Sequence, residues 1–286
     1  MNNNPIVFLD SGIGGLPYLE WTRKNLAGER YVYLADRENF PYGKKQPEEI
    51  VEIVSNLVQT VIIQFHPKLI TLACNTASVV ALTELRKRYP SIPFVGVVPA
   101  VKPAAEGSAF KKIGILATDR TVHTIYLENL IRSFASDCSV VTFAGSTFVD
   151  FIEDNLLTAG QDEWMRLIQG AVEFFKKAEI DTLVLGCTHF IHLEKYLRDA
   201  LGTSVRLIDS REGVGKQIMR IVNSKTDTSN RDYAEKPGSW DYSAAFYLNC
   251  KVEPEIGRDG DKCKNDSYRK IAAMYNLKYE GQLPGV

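Results

Sequence analysis

The chain predicts an α/β fold of two similar parallel-sheet units related by internal duplication. Short apolar runs alternate with amphipathic helical stretches, the order of βαβ units around a parallel sheet. That order restarts midway. In places the two halves also match at the level of single residues: Tyr18-Leu19-Glu20 corresponds to Tyr126-Leu127-Glu128, and Leu72-Ala73-Cys74-Asn75-Thr76 to Leu185-Gly186-Cys187-Thr188, with Asn75 extra. The step from Thr76 to Leu85-Arg86 repeats from Thr188 to Leu197-Arg198. An offset of roughly 110 residues marks two related units rather than a short-period solenoid.

The elements follow in order. Ile6 to Leu9 is a buried strand, followed by the turn Asp10-Ser11-Gly12-Ile13-Gly14-Gly15 and a helix through Tyr18, Leu19, Trp21 and Leu26. Tyr31 to Leu34 is a second strand. Ile50, Val51, Ile53, Val54, Leu57, Val58, Val61 and Ile62 recur at helical spacing and form one apolar stripe. Leu69 to Leu72 is a strand ending at Cys74, followed by a helix through Leu82, Leu85 and Tyr89 and a strand from Phe94 to Val98. In the second half, strands are expected at Ile113–Leu116, Val140–Phe143, Thr182–Leu185 and Val205–Ile208. Helices are expected over Val122–Ile131, over Trp164–Phe175 and after Cys187. Pro99 to Glu106 reads as the connector between the units and Asp209 to Gly213 as a second crossing. The tail holds a helix through Val214, Ile218 and Val222, a polar stretch from Asn223 to Ser239, an apolar segment from Ala244 to Leu248, a charged loop from Glu253 to Lys264 and a final helix around Tyr268 to Tyr275. It is expected to return to the first unit, so the domains are residues 1–98 with 210–286, and residues 99–209.

A length of 286 residues suits about two domains, each able to bury a core without disulfides. With 34 Lys+Arg against 35 Asp+Glu the net charge is -1, which argues against a nucleic-acid binder. The longest uncharged run, Leu69 to Thr83, has 15 residues and is too short and polar to span a bilayer. No signal peptide is read at Met1-Asn2-Asn3-Asn4. Five scattered cysteines, without a Cys-x-x-Cys pair, fit the reducing cytoplasm better than a disulfide framework. No metal site is expected with only four histidines.

Ligands of parallel α/β sheets bind beyond the carboxyl ends of the strands, where Asp10, Cys74 and Cys187 all fall. The glycine turn lets backbone N–H groups meet an anion, and a carboxylate suits them. Pro17 stands where the dinucleotide fingerprint has its third glycine, and a tight turn without a ligand is the other reading. The duplicated cysteines each lie between a strand and a helix start, a position expected to lower a thiol pKa. A pair of facing thiols suits inversion of a stereocentre: one thiolate removes a proton from carbon and the opposing thiol delivers one to the other face. His189, two residues after Cys187, is placed to tune that thiol. Packing cysteines repeated by descent remain the alternative on position alone.

Four segments resemble the cofactor-independent glutamate racemases of bacterial cell-wall synthesis: Asp10-Ser11-Gly12-Ile13-Gly14-Gly15-Leu16, Pro41-Tyr42-Gly43, Ala73-Cys74-Asn75-Thr76-Ala77-Ser78 and Leu185-Gly186-Cys187-Thr188-His189. The resemblance implies an active site in the cleft between two domains, each supplying one catalytic cysteine. Cys74 then takes the α-proton from D-glutamate and Cys187 takes it from L-glutamate, with Asp10, Glu153 and His189 assisting the thiols. Asp10, Ser11, Tyr42, Gly43, Asn75, Thr76, Thr188 and His189 are implied to hold glutamate. No cofactor is implied, pyridoxal phosphate included, and the family commonly forms homodimers. Phe190-Ile191-His192 departs from the usual Tyr-Pro-Leu, and Ala144-Gly145-Ser146-Thr147 from the usual Cys-Pro-Leu ahead of the helper glutamate. A racemase for aspartate would keep both cysteines and change the groups at the distal carboxylate. A Cys/His hydrolase would need Cys187 and His189 and leave Cys74 dispensable. A two-lobed binding module would tolerate serine at both cysteines.

Overall fold

The computed structural model describes residues 4–225, 244–250 and 259–284. Its strands are β1 (Ile6–Asp10), β2 (Tyr31–Asp36), β3 (Leu69–Leu72), β4 (Phe94–Gly96), β5 (Lys112–Ala117), β6 (Ser139–Ala144), β7 (Thr182–Leu185), β8 (Arg206–Ile208), β9 (Ala244–Asn249) and β10 (Lys278–Gln282). They form two sheets, ordered β10-β9-β2-β1-β3-β4 and β6-β5-β7-β8, and every strand pair is parallel. The run β2-β1-β3-β4 repeats as β6-β5-β7-β8. The internal duplication is therefore one of topology as well as of sequence.

Helices cover the sheets, so β1, β2, β3 and β7 are buried at every position. The apolar stripe predicted around residues 50–62 lies on helix Pro47–Phe65, which buries Ile50, Val54, Leu57, Val58 and Val61. That helix stops where His66 adopts a left-handed conformation (φ 47°) ahead of Pro67. One apolar cluster is continuous between the sheets, joining Ile13, Leu16 and Phe246 to Phe148, Ile152 and Phe190. It holds the two groups of strand ends against each other. The tail lies on the first sheet, with β9 pairing β2 from Tyr31↔Ala244 to Asp36↔Asn249 and β10 pairing β9.

Several local expectations need correction. The helix expected over Val122–Ile131 is two helices, Asp119–Val122 and Ile125–Phe134. Thr124 interrupts it, because its hydroxyl accepts the Leu127 N–H at 3.2 Å and so caps a new helix. The connector after Pro99 is helical from Val101 to Gly107. Helix Ser146–Asn155, unpredicted, carries Glu153 and buries Phe148, Val149 and Ile152. After Cys187 the chain makes a 3-10 turn, Thr188–Leu193, before helix Glu194–Leu201. The crossing at Asp209 to Gly213 is already helical from Arg211, in helix Arg211–Lys225. Of the charged loop, residues 251–258 lie outside the described residues and 259–264 belong to helix Asp259–Met274. Most of the polar stretch, residues 226–243, also lies outside them. Strand β10 was invisible as a pattern because it is an edge strand whose residues alternate between exposed and half-buried, without a buried apolar face.

Candidate active site

Both cysteines leave their sheets in the same way. Cys74 follows β3 by one residue and stands at the N-cap of helix Asn75–Arg88; Cys187 follows β7, the duplicate of β3, and opens the 3-10 turn. Their side chains line one small cavity together with Ser11, Tyr42, Gly43, Asn75, Thr76, Thr188 and His189. Pro41, Lys44, Thr118, Ser146, Val149 and Asp150 complete the wall. Thr118 had a readable signal: β5 is the counterpart of β1, so the residue after β5 occupies the place of Ser11 after β1. Asp10 and Glu153, both buried, stand behind the wall rather than in it.

Asp10 accepts hydrogen bonds from the Ser11 hydroxyl (3.2 Å), the Gly12 N–H (3.1 Å) and, from the second sheet's side, the Thr188 hydroxyl (3.3 Å). Burial raises its carboxyl pKa, against the pull of His189 and the Gly12 amide. Ser11 Oγ lies 3.9 Å from Cys74 Sγ and so links Asp10 to the first thiol. The expected lowering of the Cys74 pKa is overturned. Burial pushes the thiol up and the nearby Asp10 adds to it, and together they outweigh the Ala77 N–H at the helix start. A helix N-terminus lowers a thiol pKa only while desolvation and nearby negative charge are smaller. Here the thiol form of Cys74 is favoured over the thiolate.

On the opposite wall His189 Nε2 lies 2.9 Å from Glu153 Oε2, and both side chains are buried. Burial works to lower the imidazole pKa, but hydrogen bonding to Cys187 and to Glu153 raises it well above its ordinary value. Burial likewise works to raise Glu153, and His189, Tyr268 and the Ile13 N–H outweigh it, so its carboxyl pKa is lowered. The two form a buried ion pair with Cys187 beside the cation. His192 is neutral by contrast, because burial and the neighbouring His189 hold its pKa down at about 4.

The glycine turn does meet a carboxylate, and it is the protein's own. The Ile13 N–H donates to Glu153 Oε2 at 3.0 Å. The Gly15 N–H donates to Tyr33 Oη at 3.1 Å, while that hydroxyl donates to the Gly12 carbonyl at 2.8 Å. The glycines also make room. A Cβ at Gly12 would lie 2.3 Å from Glu153 Oε2, and one at Gly14 would lie 2.4 Å from His189 Nδ1 and 2.6 Å from Thr188 Oγ1. The turn is therefore a close-packed seat for Glu153 and for the second sheet's Thr188-His189 corner. Tyr33 went unnoticed in the sequence because a tyrosine in a strand reads as core.

The loop Pro41–Lys44 closes the rim. Tyr42 Oη donates to Asp36 Oδ2 at 2.5 Å, and Asn39 (3.0 Å) and Asn249 (2.7 Å) also donate to Asp36. Arg120, on the second sheet's side, donates to the Gly43 carbonyl at 3.2 Å and also to the Lys45 carbonyl. Lys44 pairs with Asp150 at 2.9 Å, an exposed bridge worth at most about 1 kcal/mol. Arg120→Ala should loosen the rim while leaving both thiols in place. The expected outcome is a KM raised by about tenfold, the worth of one or two hydrogen bonds, with kcat changed less than about twofold. Steady-state kinetics check it, and an unchanged KM contradicts it.

Among the described residues no cluster of His, Cys, Asp and Glu side chains could hold a metal ion, and no helix is long and apolar enough to cross a membrane. Cys138 contacts its neighbour Asp137 at 3.4 Å, outside the site.

The sequence profile of the Asp/Glu/Hydantoin racemases matches residues 18–212. The chain is 40% identical over 272 residues to a glutamate racemase of Shewanella sp. strain ANA-3, spanning 95% of this chain and 98% of that one. The chain belongs to the glutamate racemase family. Among solved structures it is similar to an Escherichia coli glutamate racemase in complex with L-glutamate and the activator UDP-MurNAc-Ala, with TM-score 0.80, 30% identity and 98% of each chain covered. It is also similar to the RacE1 isoform of glutamate racemase from Bacillus anthracis, with TM-score 0.77, 26% identity and the same coverage of 98%. Within this family of isomerases the duplicated α/β architecture is shared with those two solved structures.

Proposed function

We propose that this protein interconverts L- and D-glutamate by moving the α-proton between Cys74 and Cys187, without an added cofactor. The observation that carries the reading is the pair of cysteines, one beyond each sheet, on the wall of one cavity. The two domains of the reading are residues 1–98 with 210–286, and residues 99–209, and the cavity lies between them.

Deprotonated Cα is planar, and inversion needs a base on one face and an acid on the other. With D-glutamate, Cys74 Sγ accepts the α-proton and the Cys187 thiol donates its own to the opposite face. With L-glutamate the roles reverse. Asp10 assists Cys74 through Ser11, and Glu153 assists Cys187 through His189. Ser11, Tyr42, Gly43, Thr76 and Thr188 hold the carboxylates, aided by the N-terminus of helix Asn75–Arg88. Asn75 Oδ1 supports an amino acid as ligand: it is buried without a hydrogen-bond partner among the described residues, and an ammonium group supplies the missing donor. Thr118 and Ser146 add hydroxyls from the other wall. D-glutamate for peptidoglycan is the product's use in this reading, the cytoplasm the place of action and a homodimer the assembly.

The test is circular dichroism of pure L-glutamate with protein purified without cofactor. The signal should decay to zero as the racemate forms, with no aldimine absorbance in the visible. A turnover of about 10 per second would correspond to a barrier of about 16 kcal/mol. Decay with L-aspartate alone, or only after adding pyridoxal phosphate or a metal, contradicts the reading.

A further inference from the structure

Glu153 does not reach the cavity, yet it is held by three donors. Oε2 accepts from the Ile13 N–H (3.0 Å) and from His189 Nε2 (2.9 Å), and Oε1 accepts from the Tyr268 hydroxyl at 2.5 Å. Tyr268 comes from helix Asp259–Met274 in the C-terminal tail, is buried, and packs against Phe246 of β9 with ring centroids 6.2 Å apart. That tail is built onto the first sheet, whereas Glu153 and His189 belong to the second sheet's side. A carboxylate with only Oε2 tied down can turn about its last bond. A donor on Oε1 fixes the carboxylate plane, and with it the direction in which His189 presents its ring to Cys187.

We propose that Tyr268 is a positioning residue for the second thiol: its hydroxyl, delivered by the C-terminal helix, orients Glu153 and through it the His189 imidazole beside Cys187. The tail then serves the reaction centre as well as completing the sheet. The kinetic part of this inference rests on the glutamate reading above, and the spectroscopic part does not.

The charged and titratable groups around this chain of contacts are few. His189 faces Cys187, Glu153, Asp10 and His192, and Tyr268 faces Glu153, Arg37 and Asp154. Tyr268→Phe leaves all of these in place and keeps the ring on Phe246. With Oε1 released, the Glu153 carboxylate can turn about its last bond, its Oε2 contact to His189 Nε2 weakens, and the imidazolium loses part of its stabilisation. His189 should therefore titrate at lower pH than in the wild type.

The experiment compares wild type with Tyr268→Phe in two measurements. Side-chain NMR of 15N-labelled histidines follows the His189 titration, with a thermal melt to show the fold. Steady-state racemisation gives kcat and KM. The expected result is a His189 titration moved to lower pH and a kcat about 10- to 100-fold lower, the range of one hydrogen bond to a charged group, with KM within about twofold. An unchanged His189 titration overturns the proposal even if turnover falls, because a merely structural role would lower turnover alone. Glu153→Gln is the second variant: in its background Tyr268→Phe should do less than in the wild type, and additive losses overturn the proposal. A wild type without glutamate turnover refutes the substrate reading and leaves the His189 titration to decide the positioning.

Discussion

Serine at Cys74 or at Cys187 should lower racemisation by orders of magnitude and leave α-hydrogen exchange on one face only. The two sulfurs approach the cavity from different sheets, and each can serve only the face it meets. A lone thiolate can take a proton from its own side, trade it with solvent, and return a deuteron to the same side. Cys74→Ser should therefore exchange the α-hydrogen of L-glutamate in heavy water through Cys187 without making D-glutamate. Cys187→Ser should do the same with D-glutamate through Cys74. Serine preserves shape but is a far weaker acid and base near neutrality. Racemisation should fall by about 10³- to 10⁴-fold, the upper part of the range for general acid–base catalysis. Proton NMR of each variant with each enantiomer decides it. Near-normal racemisation by either variant, or exchange of both enantiomers alike by one of them, sinks the two-thiol mechanism. The structure adds a further expectation. Cys74 carries the raised pKa, so the half-reaction it begins as a base should rise with pH over a wide range. The same group is protonated and ready when it acts as the acid.

Gly14→Ala should also be strongly damaging, although Gly14 carries no chemistry. A methyl group there would sit 2.4 Å from His189 Nδ1, 2.6 Å from Thr188 Oγ1 and 2.8 Å from His189 Cε1. No contact at such distances is tolerated, so either the turn or the corner carrying Cys187 must move. Overpacking of this kind destabilises by about 1–3 kcal/mol. A shift of the order of 1 Å in a reacting group can reduce turnover by about 10²-fold. The variant should melt several degrees lower and lose about two orders of magnitude in kcat. Gly170→Ala is the control. Gly170 is exposed in the middle of helix Gln161–Lys177 with nothing near its would-be Cβ, and alanine there should stabilise by up to about 1 kcal/mol. Equal kinetics for Gly14→Ala and wild type would show that the turn is not the seat of the His189 corner.

The repeat of a strand, a cysteine and a helix start was legible in the chain because β3 and β7 are buried on both faces and their apolar runs are nearly continuous. From those runs the α/β class, the parallel sheets and the duplication all follow. The cavity-lining Cys74, Cys187 and His189, and Asp10 behind them, were legible as candidates too, since each lies at or just past a strand end, where parallel sheets bind their ligands. What lay beyond the chain's local pattern is what depends on distance in sequence. Glu153 is 140 residues from the Ile13 amide it occupies, and Tyr268 is 115 residues from Glu153. No periodicity encodes such a meeting, because packing of the apolar cluster between the two sheets brings the partners together. Asp36 and Asn249, which hold Tyr42, are joined only because β9 returns to pair with β2. The sign of the Cys74 shift was likewise a tertiary matter. The helix start that lowers a thiol pKa is local and was readable, whereas the burial and the Asp10 charge that overcome it exist only once the sheets have closed over the site.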